Sequence, residues 1–253
     1  GAAEHAPRFE AEKTIDGSGC LCMHGLVNLH THTPMTYLRS AGADLALDDW
    51  LNKAIFPLEK QWDESLIRSA TDLGCMEMLR FGTTSFNDMY FHTEIMAEAV
   101  RDNGMRATLG HGIVDFDESC ADMAEGVAMA KKWNHTCDDR IRFSLAPHSE
   151  GATTPVLLRK VAQTAKELGV RIHIHVSETD FDLQGCLRRR GLTPPAYLEQ
   201  LGILDVPVIA AHCVWFNDAD IEIFRRHGCV IAHNPVSNLK LASGFAPIEK
   251  MRR

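Results

Sequence analysis

Seven short apolar runs recur along the chain with helix-like stretches between them: GLVNLH from Gly25, TTSFND from Thr83, MRATLG from Met105, IRFSLAPH from Ile141, VRIHIHVSE from Val170, PVIAAHC from Pro207 and CVIAHN from Cys229. This alternation is the sequence form of repeated βα units around a parallel sheet. The expected fold is α/β, a (β/α)8 barrel of which seven strands can be read. Catalytic groups in such barrels gather at the carboxyl ends of the strands, and the polar residues follow that rule. His30 and His32, Asp88, His148, His175 and Glu178, His212, and His233 stand at or just beyond the ends of separate runs.

The intervening helices are well punctuated. In TTPVLLRKVAQTAKELG, Thr154 suits the cap, Pro155 the first helical position and Gly169 the exit, while Val156, Leu157, Val161, Ala165 and Leu168 form an apolar stripe. In NDADIEIFRRHG, Asn217 suits the cap, with acids in the first turn and Arg225, Arg226 and His227 in the last. Residues 1–24 are expected to be an entry segment and remnant of a small β layer, and residues 25–253 the barrel.

The chain's 253 residues are enough for one large domain, since α/β barrels run to about 250 residues without splitting. A net charge of −8 argues against a general nucleic-acid or anionic-membrane surface, because either needs a basic field. No apolar run approaches the ~20 residues of a membrane span, and the first residues lack the apolar segment of a secretory signal. The eight cysteines are scattered, so a cytoplasmic protein with reduced thiols is expected. Cys20 and Cys22 are read as two small buried residues of a strand rather than as a metal pair. A homo-oligomer is left open.

On a strand, side chains two residues apart share a face, so His30 and His32 leave one face together, as do His173 and His175. Three imidazoles from His30, His32 and His175 suit a catalytic zinc or iron site with a position open to water. Glu178 then lies beside the metal as a proton-moving carboxylate. His173 is read as a core residue one layer deeper, and His111 is left undecided. His5, His92, His135 and His227 read as surface or helix-end residues. His148 and His212 face either the water, the substrate, or only backbone at the rim.

GLVNLHTHTPM, DDWLNKAIFPLE, SFNDMYF, APHS, HIHVSET, AAHCVWFND and AHNPVSNLKLASG together resemble the amidohydrolase superfamily from about Ile15 onward. The similarity is greatest to its methylthioadenosine/S-adenosylhomocysteine deaminase branch, which includes 5'-deoxyadenosine deaminases. The resemblance implies hydrolytic deamination of an adenosine-type nucleoside by a metal-dependent aminohydrolase. It implies His30, His32 and His175 as ligands of one divalent ion, Glu178 as acid and base, and His212 as the group orienting water and the developing oxyanion. It implies Glu59 as the acceptor of the ribose hydroxyls and His148 as a pocket residue. Guanine or triazine hydrolysis, or a barrel without turnover, are the alternatives.

Two positions depart from the family pattern: His24 stands in place of a proline, and PHSEGAT lacks the aromatic residue that commonly follows PHS. The family continues into an eighth strand bearing a metal-binding aspartate, which this sequence does not reach. These residues taken alone are therefore expected to hold metal weakly and not to make a competent deaminase.

Overall fold

A computed structural model describes residues 7, 10–114 and 120–253. Seven parallel strands form one sheet in the order of the chain: β1 (Leu26–Thr31), β2 (Thr83–Tyr90), β3 (Arg106–Ile113), β4 (Ile141–Pro147), β5 (Arg171–Val176), β6 (Val208–His212) and β7 (Val230–Ala232). Each is paired with its sequence neighbours, as expected of consecutive βα units. The sheet curls enough to bring the His30 ring of β1 within 5.2 Å of the His212 ring of β6, centroid to centroid. This is the predicted barrel wall, with β1 and β7 at its two edges.

Helices clad the sheet: α1 (Glu64–Arg80), α2 (Thr93–Asn103), α3 (Ala121–Trp133), α4 (Pro155–Leu168), α5 (Asp180–Arg190), α6 (Pro194–Gln200), α7 (Asp218–His227) and α8 (Pro235–Lys240). The predicted caps are present. The Thr154 hydroxyl accepts from the Leu157 amide at 3.3 Å, and Asn217 and Asp220 form a reciprocal capping box before α7. Such a cap contributes about 1 kcal/mol.

Strand alternation decides what each face does. In β5, Ile172, Ile174 and Val176 turn outward into a core with Leu157, Val161, Leu198, Val208 and Phe224, all buried. Burial of each such side chain stabilises by about 1.5–3 kcal/mol. The alternate residues, His173 and His175, then face the barrel interior. A second core joins Ile67, Phe86, Met96, Val100, Leu109, Ile141 and Phe143 under α1 and α2. Inside the wall β3 and β4 approach closely at Gly110, where a Cβ would stand 2.7 Å from that of Ala146 and 2.8 Å from the Ser144 Oγ.

Residues 10–24 are exposed and form no strand. Cys20 and Cys22 are thus corrected: they are exposed, outside any strand, because no sheet covers that segment. None of the eight cysteines is in a disulfide among the described residues. His92, ahead of α2, and His135 are exposed, and His227 ends α7, as expected; His5 lies outside the described residues. Among the described residues no helix is long and apolar enough to cross a membrane.

Candidate active site

The ends of β1 and β5 bring His30, His32 and His175 together, with one ring nitrogen from each lying within 4.8 Å of the others. Hydrogen bonds fix which nitrogen each ring offers. His32 Nδ1 meets the Met89 carbonyl at 2.5 Å, and His175 Nδ1 meets the His148 carbonyl at 2.7 Å. A carbonyl oxygen only accepts, so both Nδ1 atoms carry hydrogen. In neutral rings the two Nε2 atoms then present bare lone pairs to each other at 3.4 Å. That arrangement is repulsive unless a cation stands between them.

Neutral rings are what the surroundings enforce. Burial, then the neighbouring imidazoles, hold His30 and His175 well below the usual histidine range, and burial lowers His32 too. Metal ligands must be neutral imidazoles whose other nitrogen is held by a partner. His173, fully buried, supplies that partner for His30, with Nε2 2.9 Å from His30 Nδ1. The three-nitrogen set fits a zinc or iron ion and leaves a coordination position for water.

Glu178 follows β5 past Ser177, whose φ of 47° lies in the left-handed region. It is 7% exposed, and burial, with Asp182 adding to it, pushes its carboxyl up to about 7. The Ser243 hydroxyl donates to its Oε1 at 3.3 Å, and His212 Nε2 lies 3.4 Å from its Oε2. His212 ends β6 with a φ of 73°, followed by Cys213 at 51°. Left-handed residues without glycine are uncommon and gather at functional sites. With Nδ1 donating to the Asn238 Oδ1 at 2.7 Å, His212 turns an acceptor nitrogen toward Glu178. Burial lowers His212 to about 4, so its ring is neutral beside Glu178.

A cavity of about 630 Å³ opens above this cluster, and all seven candidate residues line it: His30, His32, Glu59, His148, His175, Glu178 and His212. Glu59 reaches it from a helical stretch over residues 47–59 and accepts a hydrogen bond from the Tyr90 hydroxyl at the end of β2. Burial raises the Glu59 carboxyl above its ordinary value. The His148 ring lies tilted against that of His175, centroids 4.5 Å apart, and has no partner for its buried Nδ1 among the described residues, leaving a polar atom for a ligand. Trp50, Leu51, Ile55 and Phe56 make the apolar wall.

Other histidines and acids fall elsewhere. His111, buried in β3, turns toward Thr93 and Glu125 in the helical layer. His233 is exposed just after β7. Asp88 lies within β2, not at its end, because that strand runs on to Tyr90. Its Oδ2 accepts from the Thr33 amide and hydroxyl at 2.7 and 2.5 Å, holding the turn that follows His32. Sequence reasoning missed Tyr90, Asn238 and Ser243. The run SNLKLASG was the available signal, since its Asn238 supports His212 and its Ser243 supports Glu178.

Residues 22–253 match the amidohydrolase family. The chain is 41% identical over 245 residues to a 5'-deoxyadenosine deaminase of Methanothermobacter thermautotrophicus, covering 96% of this chain and 57% of that protein. It is 42% identical over 244 residues to a 5-methylthioadenosine/S-adenosylhomocysteine deaminase of Moorella thermoacetica, covering 96% and 57%. The structure of an adenosine deaminase from Xanthomonas campestris with bound zinc superposes with a TM-score of 0.85 at 34% identity, covering 91% of this chain and 54% of that one. The chain spans a little over half the length of the curated relatives it matches. The matched span, the parallel barrel wall and the histidine cluster at its carboxyl end together make this chain a member of the amidohydrolase family.

Proposed function

We propose that the protein deaminates adenosine-type nucleosides hydrolytically, releasing ammonia and the inosine analogue. The reading rests on the three convergent imidazoles with Glu178 beside them at the floor of a cavity whose far wall carries Glu59. His30, His32 and His175 would hold one divalent ion, zinc or iron. When bound, such an ion supplies the Lewis acidity that makes water a nucleophile near neutral pH. Glu178 takes a proton from the water that attacks C6 of the purine, and returns protons to the ring nitrogen and the departing amine. A carboxyl near 7 suits both directions of transfer. His212, fixed by Asn238, orients the attacking water through its acceptor Nε2, and stabilises the developing oxyanion only once that nitrogen has taken up a proton and become a donor.

Glu59, positioned by the Tyr90 hydroxyl, accepts the ribose hydroxyls, and His148 contacts base or sugar. Residues 25–253 would be the catalytic barrel and 1–24 its entry segment. A cytoplasmic setting agrees with the unbridged cysteines. The relatives' printed names point to substrates with a deoxy or thioether 5'-group.

The test is a panel of 5'-deoxyadenosine, 5'-methylthioadenosine, S-adenosylhomocysteine, adenine, guanine and a chlorotriazine offered to the zinc-loaded protein. Binding is read from the change in total tryptophan fluorescence, to which Trp50 in the cavity wall contributes, and turnover from ammonia and the adenine-to-hypoxanthine spectral change. The adenosine derivatives should bind and react in preference to the free bases. Preferential turnover of guanine or the triazine would overturn the reading.

A further inference from the structure

We propose that Glu150, Arg189 and Gly185 form a positioning clamp that holds the loop after β4, and through it the His175 imidazole, in register with Glu178. The inference rests on the metal reading above. The ladder between β4 and β5 fails where it is needed: it joins Ser144 to Arg171 and Leu145 to Ile172, then stops. Only the isolated bridge of Ser149 with His175 resumes it. Yet the His148 carbonyl in that stretch accepts from both the amide and the Nδ1 of His175, at 3.0 and 2.7 Å. The loop that fixes the tautomer of a candidate ligand is thus held to β3, where the His148 amide donates to the Ile113 carbonyl at 3.0 Å, and only thinly to β5.

Glu150 lies two residues beyond His148 and is 5% exposed. A buried carboxylate requires a partner, and its Oε1 meets Arg189 Nη2 at 2.6 Å. Arg189 is in the last turn of α5, whose first turn begins directly after Glu178 and Thr179. The ion pair therefore ties the His148 loop to the far end of the helix that begins two residues after Glu178. Glycine is disfavoured inside a helix, and Gly185 in α5 has a local reason to be there. A Cβ at Gly185 would stand 2.7 Å from Arg189 Nη1, and one at Gly151 would stand 3.4 Å from Nη2. The guanidinium lies between two glycines that leave room for it. The glutamate and the glycine after it occupy the stretch where PHSEGAT departs from the family pattern.

The experiment measures zinc affinity by competition with a chromophoric chelator in the parent and in Glu150→Gln, Arg189→Met and Gly185→Ala. Loss of a partner that orients a ligand typically weakens metal binding about 10–100-fold; roughly tenfold is expected in Glu150→Gln and Arg189→Met, and a smaller loss, above twofold, in Gly185→Ala, whose new methyl meets only the movable end of the Arg189 side chain. The Glu150→Gln/Arg189→Met double variant should be no weaker than the singles, Arg189→Lys should recover part of the loss, and exposed Arg188→Met should match the parent. Alanine favours the helix over glycine, so a loss in Gly185→Ala cannot come from a weakened helix. It also carries the test if Arg189→Met folds poorly. Affinities within twofold of the parent in all three variants would overturn the clamp. A parent that holds no zinc would overturn the metal reading, and the clamp with it.

Discussion

Glu178→Gln should make the metal-free protein more stable while removing its turnover. The carboxyl is pushed from 4.5 to about 7, mainly by burial. Because the folded value lies above the unfolded one, the residue is without cost below pH 4.5, and stability is lost as pH rises from there toward 7. At about 1.36 kcal/mol for each pKa unit, the loss is about 3 kcal/mol at pH values above 7. Glutamine keeps the shape and never ionises. Urea unfolding of both proteins in chelator, at about pH 4.5 and about pH 8, measures the difference through the midpoint at constant slope. His30, His32, His148, His173 and His175 are present in both proteins, and only His212, 3.4 Å from the Glu178 Oε2, meets a different neighbour in the variant. The variant should gain about 3 kcal/mol at the higher pH and almost nothing at the lower, while kcat falls by about 10²–10⁴. Equal stability at the higher pH, or a glutamine variant less stable there, would refute the buried, proton-holding carboxyl.

Other perturbations report on the remaining parts. Zinc at about a thousand times its Kd should stabilise the protein by about 4 kcal/mol, raising Tm by roughly 10 °C; His175→Ala should abolish the shift in a thermal melt. Glu59→Ala should raise KM for nucleosides by at least about 10–100-fold with free adenine unaffected, since each charge-assisted bond to a ribose hydroxyl contributes about 1.5–3 kcal/mol. Tyr90→Phe should act in the same direction and more weakly. Asn238→Ala frees His212 Nδ1 and should lower kcat at least tenfold, with zinc affinity unchanged in a chelator competition.

The parts legible in the sequence were those governed by local rules. Strand alternation set His30 and His32 on one face and separated His173 and His175 from the isoleucines between them. Helix caps at Thr154 and Asn217 were readable because each bonds its own first turn. The supporting groups were not legible, since they arrive from distant segments: Ser243 reaches Glu178 across 65 residues and Asn238 reaches His212 across 26. Asp88 was read as a strand end because nothing local distinguishes Asp88 from Tyr90 as the last strand residue. Its tertiary bond to Thr33 makes it a brace for the His32 turn instead. His111 was undecidable because either face of a doubly covered strand is buried, and only the position of α3 reveals which way it turns. Cys20 and Cys22 were misread because a short alternating run looks alike with or without a sheet to join.

The most direct test of the account is anomalous diffraction at the zinc edge from crystals of the zinc-loaded protein. The account predicts one strong peak within about 2.0–2.1 Å of the Nε2 atoms of His30, His32 and His175, with Glu178 nearby and not bonded to it. A peak elsewhere, a peak ligated by Glu178 or His148 in place of one of the three, or no peak at all would contradict it.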